Sequence, residues 1–167
     1  MKISSLLVFI LLIVCTSCNT SYFSSPFSNF DKKNLKEYNS NQGPWGGTLE
    51  MYWKSDQPQH FQAKYLIPYT GNGGWKFEDS TKINAAILKN WITNDSKPGF
   101  AFTYTDFFTD IKDIPFLRWI TSDVTVYRFT TGQIAIEPDT TNETYKNGYV
   151  VLSKDGKELS VYHLWGE

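Results

Sequence analysis

The sequence predicts a mainly β domain that follows an N-terminal targeting segment. The domain is expected to be an antiparallel barrel or sandwich with one short helix. Two observations support this fold class. After Trp45, short segments alternate apolar and polar residues, as strands with one buried face do, and clusters of Gly, Pro, Asn and Asp separate them. Aromatic residues make up 17% of the 167 residues, and all six Trp lie at or after Trp45. The domain therefore has a large ring surface to bury.

Residues 1–18 are expected to be a signal peptide. Lys2 is followed by an apolar run from Leu6 to Val14 and then by small residues, which is the order of a secretory signal. The run is shorter than the ~18–20 apolar residues that a membrane-spanning helix needs. We therefore expect the segment to be cleaved off rather than kept as a span.

The segment Thr16-Ser17-Cys18 resembles the cleavage site of bacterial lipoproteins, although Cys15 stands where that family usually has an aliphatic residue. The resemblance implies cleavage before Cys18 and acylation of Cys18, for example with palmitate, so that the lipid holds the protein to a membrane. Lipoproteins kept at the inner membrane usually carry Asp at the next position, where this chain has Asn19. The resemblance therefore implies the outer membrane, facing the periplasm or the cell surface. The alternative is secretion after an ordinary signal-peptidase cut near Cys18.

Charge and cysteine content argue against several classes of protein. The chain has 16 Lys and Arg against 17 Asp and Glu, with no basic run, so no nucleic-acid partner is predicted. No cysteine follows Cys18, which excludes a disulfide framework in the domain. Core packing must then hold the fold, and we expect a monomer.

Residues 19–42 are expected to be a flexible tether, and residues 43–167 the β-rich domain. The tether is dominated by polar residues and its aromatic residues show no period, so it cannot bury enough apolar area to offset the ordering of its backbone. A Gly/Pro turn then precedes the first strand, Thr48–Lys54. Residues His60–Tyr69 alternate again and are expected to be the second strand of a hairpin. Near the C-terminus, Asp155-Gly156 is the strongest hairpin signal in the chain.

One short helix is predicted at about residues 80–93, because four apolar residues recur at helical spacing from Ile83 to Trp91. Residues 107–120 are apolar almost all round but contain Pro115, and we expect them to form a small helical lid. The remaining predicted strands are Phe100–Thr105, Val124–Phe129, Gln133–Glu137, Gly148–Ser153 and Glu158–Trp165.

The motif Gly43-x-Trp45 at the start of the first strand resembles the opening motif of lipocalin-like (calycin) barrels, in which a Trp closes one end. Thr105-Asp106 and Ser122-Asp123 resemble a second motif of that superfamily, whereas its closing Arg near the last strand is missing. The resemblance implies a closed barrel that holds one small apolar molecule. The residues expected to line the binding site are Trp53, Tyr65, Phe102, Tyr104 and Trp119. The alternative is that these rings simply fill the core.

The sequence predicts no catalytic residue, metal site or cofactor. Hydrolase and phosphate-loop motifs are absent. His60 and His163 are the only histidines, and two histidines need help from carboxylates to hold a metal. The sequons at Asn19, Asn94 and Asn142 matter only in a eukaryotic host.

Two functions are therefore expected ahead of an enzyme. The first is an envelope lipoprotein whose barrel domain binds a small apolar or amphipathic ligand. The alternative is a non-enzymatic interaction or structural protein of the envelope, with a filled core. The first requires an apolar cavity of at least ~300 Å³, and the second an exposed apolar patch of several hundred Å².

Overall fold

The computed structural model describes residues 25–86, 122–136, 141 and 143–166. The first element is a 3₁₀ turn, Pro26–Asn29. The others, in chain order, are β1 (Leu35–Gln42), β2 (Gly46–Lys54), α1 (Ala63–Asn72), β3 (Lys76–Ile83), β4 (Val124–Thr130), β5 (Ala135–Ile136), β6 (Glu143–Thr144), β7 (Gly148–Ser153) and β8 (Glu158–Gly166).

Six of these strands form an antiparallel sheet in the order β1-β2-β8-β7-β4-β3. The short strand β5 adds to β8 in parallel and to β6 in antiparallel fashion. This confirms the predicted antiparallel, mainly β class. The sheet is not closed into a lipocalin-like barrel, because its outer strands β1 and β3 do not pair with one another in the described part of the chain.

The strands give the sheet two ends of different composition. At one end lie the turn 43–45, the loops 73–75 and 131–134, and residues 145–147; we refer to it as the Trp45 end. At the other lie the loop 55–62, residues 84 and 123, and the turn 154–157; we refer to it as the Asp155 end. The strand register fixes this division, since Gly46 pairs with Gly166 while Lys54 pairs with Glu158 at the far end of the same two strands.

The main core lies between one face of the sheet and the layer formed by the 3₁₀ turn and α1. Because side chains alternate along a strand, Leu49, Met51 and Trp53 of β2 all point into this core. The other fully or nearly fully buried members are Phe27, Phe61, Leu66, Trp75, Phe129, Val150, Leu152, Leu159 and Val161. The central strand β7 is buried at all six positions, so both of its faces are covered.

Residues 63–72 form the helix α1, and the predicted strand His60–Tyr69 is wrong. The segment fits a helix, because the two residues that it buries, Leu66 and Thr70, are four positions apart and so lie on the same side of a helix. Pro68 lies inside the helix and removes a backbone donor, which disfavours a helix locally. The helix ends where Gly74 adopts a φ of +87° and the N–H of Trp75 donates to the carbonyl of Thr70.

The helix predicted at 80–93 does not begin at residue 80, because residues 80–83 continue β3. Ser80 pairs with Tyr127 and Ile83 with Val124 on β4, and Ile83 is buried. The Nε of Arg128 donates to Asp79 at 2.6 Å across the same two strands. Residues 85 and 86 are helical. The remainder of the predicted helix, the strand 100–105 and the lid 107–120 lie outside the described residues.

Residues 25–42 differ from the predicted tether, because they belong to the fold. The ring of Phe27 is completely buried and lies 5.8 Å from that of Trp53 and 6.1 Å from that of Trp75. The exposed strand β1 is held by backbone pairing with β2, from Glu37 opposite Tyr52 to Gln42 opposite Gly47. Among the described residues, no helix is long and apolar enough to cross a membrane.

Candidate functional site: a cleft beside the helix

A cleft of about 620 Å³ opens at the Asp155 end of the sheet, next to the first turn of α1. It lies between the start of α1 on one side and the ends of β3 and β4 on the other. Its apolar lining is supplied by Phe61, Ile83, Val124, Tyr127 and Leu152. A volume of this size is in the usual range for sites that hold small molecules.

The wall nearest α1 is fixed to the β7–β8 turn by backbone hydrogen bonds. The N–H of Gln59 donates to the carbonyl of Asp155 at 2.8 Å, and the N–H of Phe61 donates to that of Gly156 at 2.9 Å. Gln59 has a φ of +56°, which is uncommon for a residue other than Gly. These contacts hold Phe61 against the ends of β7 and β8, so one wall of the cleft is rigid in its backbone.

The opposite wall is organised by Asp123. Its Oδ1 accepts from the N–H of Ala85 at 2.9 Å, and its Oδ2 lies 3.3 Å from the Nζ of Lys154. Its backbone carbonyl accepts from the N–H of Lys154 at 2.8 Å. The hydrogen bond from Ala85, followed by that from Lys154, lowers the pKa of Asp123. Asp123 therefore stays ionised at neutral pH and ties the ends of β3, β4 and β7 together.

The rim of the cleft is polar. Gln62, Lys82 and Asn84 line it together with Asp123 and Lys154. Two lysines against one carboxylate give the rim an excess of positive charge, while the floor is apolar. Such a surface can hold an amphipathic molecule with its apolar part on the floor and a polar or anionic group at the rim.

The predicted ligand-binding residues are not brought together at this cleft. Trp53 is buried in the main core, where its Nε1–H donates to the carbonyl of Phe30 at 3.2 Å. Tyr65 lies on the outer side of α1 and is 63% exposed. Neither lines the cleft. The predicted residues Phe102, Tyr104 and Trp119, and the predicted lipidation site Cys18, lie outside the described residues.

The cleft could not be predicted from the sequence, because its lining comes from four separated segments, each of which looks ordinary alone. Two local signals do lie on its rim. Asp155-Gly156 marks the turn to which Phe61 is bonded, and Ser122-Asp123 contains the carboxylate that joins three strands. Neither signal predicts that these segments lie next to one another in the fold.

A second polar cluster, around His163, lies at the Trp45 end. The side chain of His163 is 5% exposed and its ring contacts those of Trp75 and Trp165. The hydroxyl of Thr131 donates to Asn147 at 2.7 Å, so its oxygen accepts from the Nε2–H of His163 at 3.1 Å. Burial lowers the pKa of His163 to about 4, and the ring is neutral at pH 7. These contacts give His163 a structural role as a buried donor.

A third cluster joins the segment after the 3₁₀ turn to the loop before α1. The Nε2 of His60 lies 2.7 Å from Oδ2 of Asp31, which also accepts from the side chain of Asn34 at 2.8 Å. No set of three or more His, Cys, Asp and Glu side chains suited to a metal occurs among residues 25–86, 122–136 and 143–166. The contacts of this cluster connect two loops of the Asp155 end.

Comparison with known proteins gives no relative for this chain: no protein-family model, no curated protein and no solved structure matches it.

Proposed function

We propose that this chain is an envelope lipoprotein, held to the membrane by acyl chains on Cys18, whose β-sheet domain binds a small amphipathic molecule. The observation that carries the binding proposal is the cleft of about 620 Å³ with its apolar floor and polar rim. The signal-like segment and Thr16-Ser17-Cys18 support the anchor. The site is proposed in the cleft and not inside a barrel, because the sheet is open and Trp53 is packed in the core.

The excess of lysine at the rim favours a ligand that carries a negative group. Lys82 is exposed and lines the cleft, as does Lys154, whose Nζ lies 3.3 Å from Oδ2 of Asp123. The positive charge of these ammonium groups would attract a carboxylate or phosphate to the rim, while a chain of methylene groups would cover Phe61 and Leu152. Each buried methylene contributes ~0.8 kcal/mol, so a medium-length acyl chain is a suitable class of ligand.

The binding proposal is tested with laurate as a probe. The mature chain, residues 18–167 with Cys18→Ser to remove competing acyl chains, is titrated with laurate and followed by amide NMR. We expect saturable shifts confined to residues 59–63, 82–84, 123–127 and 152–156. Thr125→Trp, which places a ring in the cleft, should weaken binding by about tenfold or more, ~1.4 kcal/mol. Ser40→Trp on the exposed strand β1 is the matched control and should bind as the parent chain does.

One observation favours the alternative, a non-enzymatic interaction or structural protein of the envelope. The rings of the main core are closely packed, with Phe27 and Trp53 completely buried, so the core itself offers no room for a ligand. If laurate produces no saturable shifts and Thr125→Trp changes nothing, the binding proposal fails and this alternative takes its place.

A further inference from the structure

The described chain begins at the Trp45 end of the sheet. Pro26 packs against Gly73, since a Cβ at Gly73 would collide with that of Pro26. Phe27 follows, and its ring lies between those of Trp75, at 6.1 Å, and Trp53, at 5.8 Å. Trp75 in turn contacts Phe129 and His163, where β4 ends and β8 approaches its last residues. Ser25, the described residue nearest to Cys18 in the sequence, therefore lies at this end.

The connection from Cys18 to the fold is short. Six residues lie between Cys18 and Ser25, so the two Cα atoms are seven steps apart and at most about 25 Å from one another when the chain is fully extended. The nine-residue strand β8 is about 30 Å long. A lipid on Cys18 would therefore hold the Trp45 end close to the bilayer surface and the Asp155 end on the far side.

The Trp45 end exposes aromatic residues. Trp45 is 76% exposed, Tyr145 47% and Phe77 39%. The turn that carries Trp45 is fixed, because the N–H of Gly43 donates to the carbonyl of Gly46 at 2.7 Å and β2 and β8 pair directly behind it, Gly46 with Gly166. The ring is thus presented to solvent on a rigid support.

Lysines accompany these rings. Lys76 begins β3 beside Phe77, with its side chain 80% exposed, and Lys146 follows Tyr145. Amphipathic rings together with Lys side chains are the composition that favours the headgroup level of a bilayer, where ring and ammonium group both find suitable partners. At the Asp155 end the turns carry the charged residues Asp56, Lys154, Asp155 and Lys157, and one aromatic ring, that of Tyr65 in the first turn of α1, is exposed.

We propose that the Trp45 end of the sheet is a membrane-contacting surface, with the ring of Trp45 inserted at the headgroup level of the bilayer that holds the lipid anchor. This inference rests on the proposed anchor at Cys18. It adds an orientation to the proposed function, because the cleft at the Asp155 end then opens away from the membrane.

The test is quenching of Trp fluorescence by dibrominated phosphatidylcholine. The mature lipoprotein is reconstituted in vesicles of phosphatidylethanolamine and phosphatidylglycerol, with and without the brominated lipid. We expect the parent chain to be quenched and Trp45→Phe to lose most of that quenching. Trp53→Phe, which replaces a buried indole near the Asp155 end by a phenyl ring, should keep it. Equal quenching in the parent chain and Trp45→Phe, or no quenching in either, would overturn the proposal.

A second arm separates this inference from the anchor itself. The mass of the purified chain shows directly whether Cys18 is acylated. If it is not, a chain that begins at Asn19 and carries an N-terminal histidine tag is held on vesicles by a nickel-chelating lipid, which restores the same attachment point. Loss of quenching in Trp45→Phe in that arm supports the membrane-contacting surface even though the anchor proposal has failed; no loss overturns it.

Discussion

The two ends of the sheet are stabilised by different chemistry. At the Trp45 end, Trp75 lies against Phe129 and His163, and the polar atoms inside the end bond to one another. At the Asp155 end, carboxylates accept hydrogen bonds from backbone N–H groups near the surface, as Asp123 does from Ala85 and Asp155 from Lys157. The first arrangement depends on packing and exclusion of water, and the second on ionised groups that remain in contact with water. We therefore expect the two ends to respond differently to substitution and to pH.

The largest expected effect is the loss of the buried ring at the Trp45 end. Trp75 is 4% exposed, and replacing it with Ala removes contacts to Phe27, Phe129 and His163, which should lower the free energy of unfolding by about 3–5 kcal/mol. Trp45→Ala at the same end is the matched control, and its exposed ring should change the free energy by no more than about 0.5 kcal/mol. Urea unfolding measures both. Similar losses in the two variants would show that Trp45 is part of the packing.

The next effect is a dependence of stability on pH that comes from His163. Its pKa is about 4 in the folded chain against 6.5 in the unfolded one, so the unfolded state binds more protons between these values. Stability should therefore fall as the pH drops from 6.5 towards 4, by about 3 kcal/mol in total. His163→Gln should remove this slope. The measurement is the urea midpoint of the parent chain and of His163→Gln from pH 7 to pH 4.

The Asp155 end provides the control for that pH window. Hydrogen bonds from Lys157 and Ser153 lower the pKa of Asp155 below 3.8, so its contribution to stability is complete above this value and is lost only as the pH falls below it. Asp155→Asn should leave the slope between pH 6.5 and 4 unchanged. If Asp155→Asn flattened that slope while His163→Gln did not, the assignment of the two windows to the two ends would be wrong.

A third effect concerns the close approach of β7 to the ring of Trp75. A Cβ at Gly148 would lie 2.6 Å from Thr131 Cγ2 and 2.8 Å from Trp75 Cζ3, and both groups are held by packing. Gly148→Ala should cost about 1–3 kcal/mol through overpacking. Gly71 in α1 has no atom within 4 Å of such a Cβ, so Gly71→Ala should instead stabilise the chain by about 0.5–1 kcal/mol. Thermal unfolding of both variants shows whether the signs differ.

Part of the fold follows from local sequence signals. The strands β2, β4, β7 and β8 were predicted nearly to their ends, because alternation and turn residues are properties of short segments. Asp155-Gly156 correctly marked the β7–β8 hairpin, where Gly156 has a φ of +68°. For such elements the tertiary structure agrees with the local preference.

Other elements could not be predicted because distant contacts decide them. The strand β1 has a polar sequence and is mostly exposed, so only its pairing with β2 distinguishes it from a tether. The helix α1 contains Pro68, and its packing partners Phe27 and Phe30 lie more than thirty residues earlier in the chain. The proposed cleft depends on the second of these elements, since the placement of α1 and the loop before it creates one of its walls.

The smallest expected effect is the loss of the side-chain acceptor at the Asp155 end. The Oδ1 of Asp155 accepts from the hydroxyl of Ser153 at 2.7 Å and from the N–H of Lys157 at 3.0 Å, which fixes the β7–β8 turn. Because the turn lies at the surface, water can replace these bonds, and Asp155→Ala should lower the free energy of unfolding by only about 1 kcal/mol. Since the same turn accepts the N–H groups of Gln59 and Phe61, the variant should weaken laurate binding more than it weakens the fold. Unchanged laurate affinity in Asp155→Ala would show that the wall of the cleft does not depend on this turn.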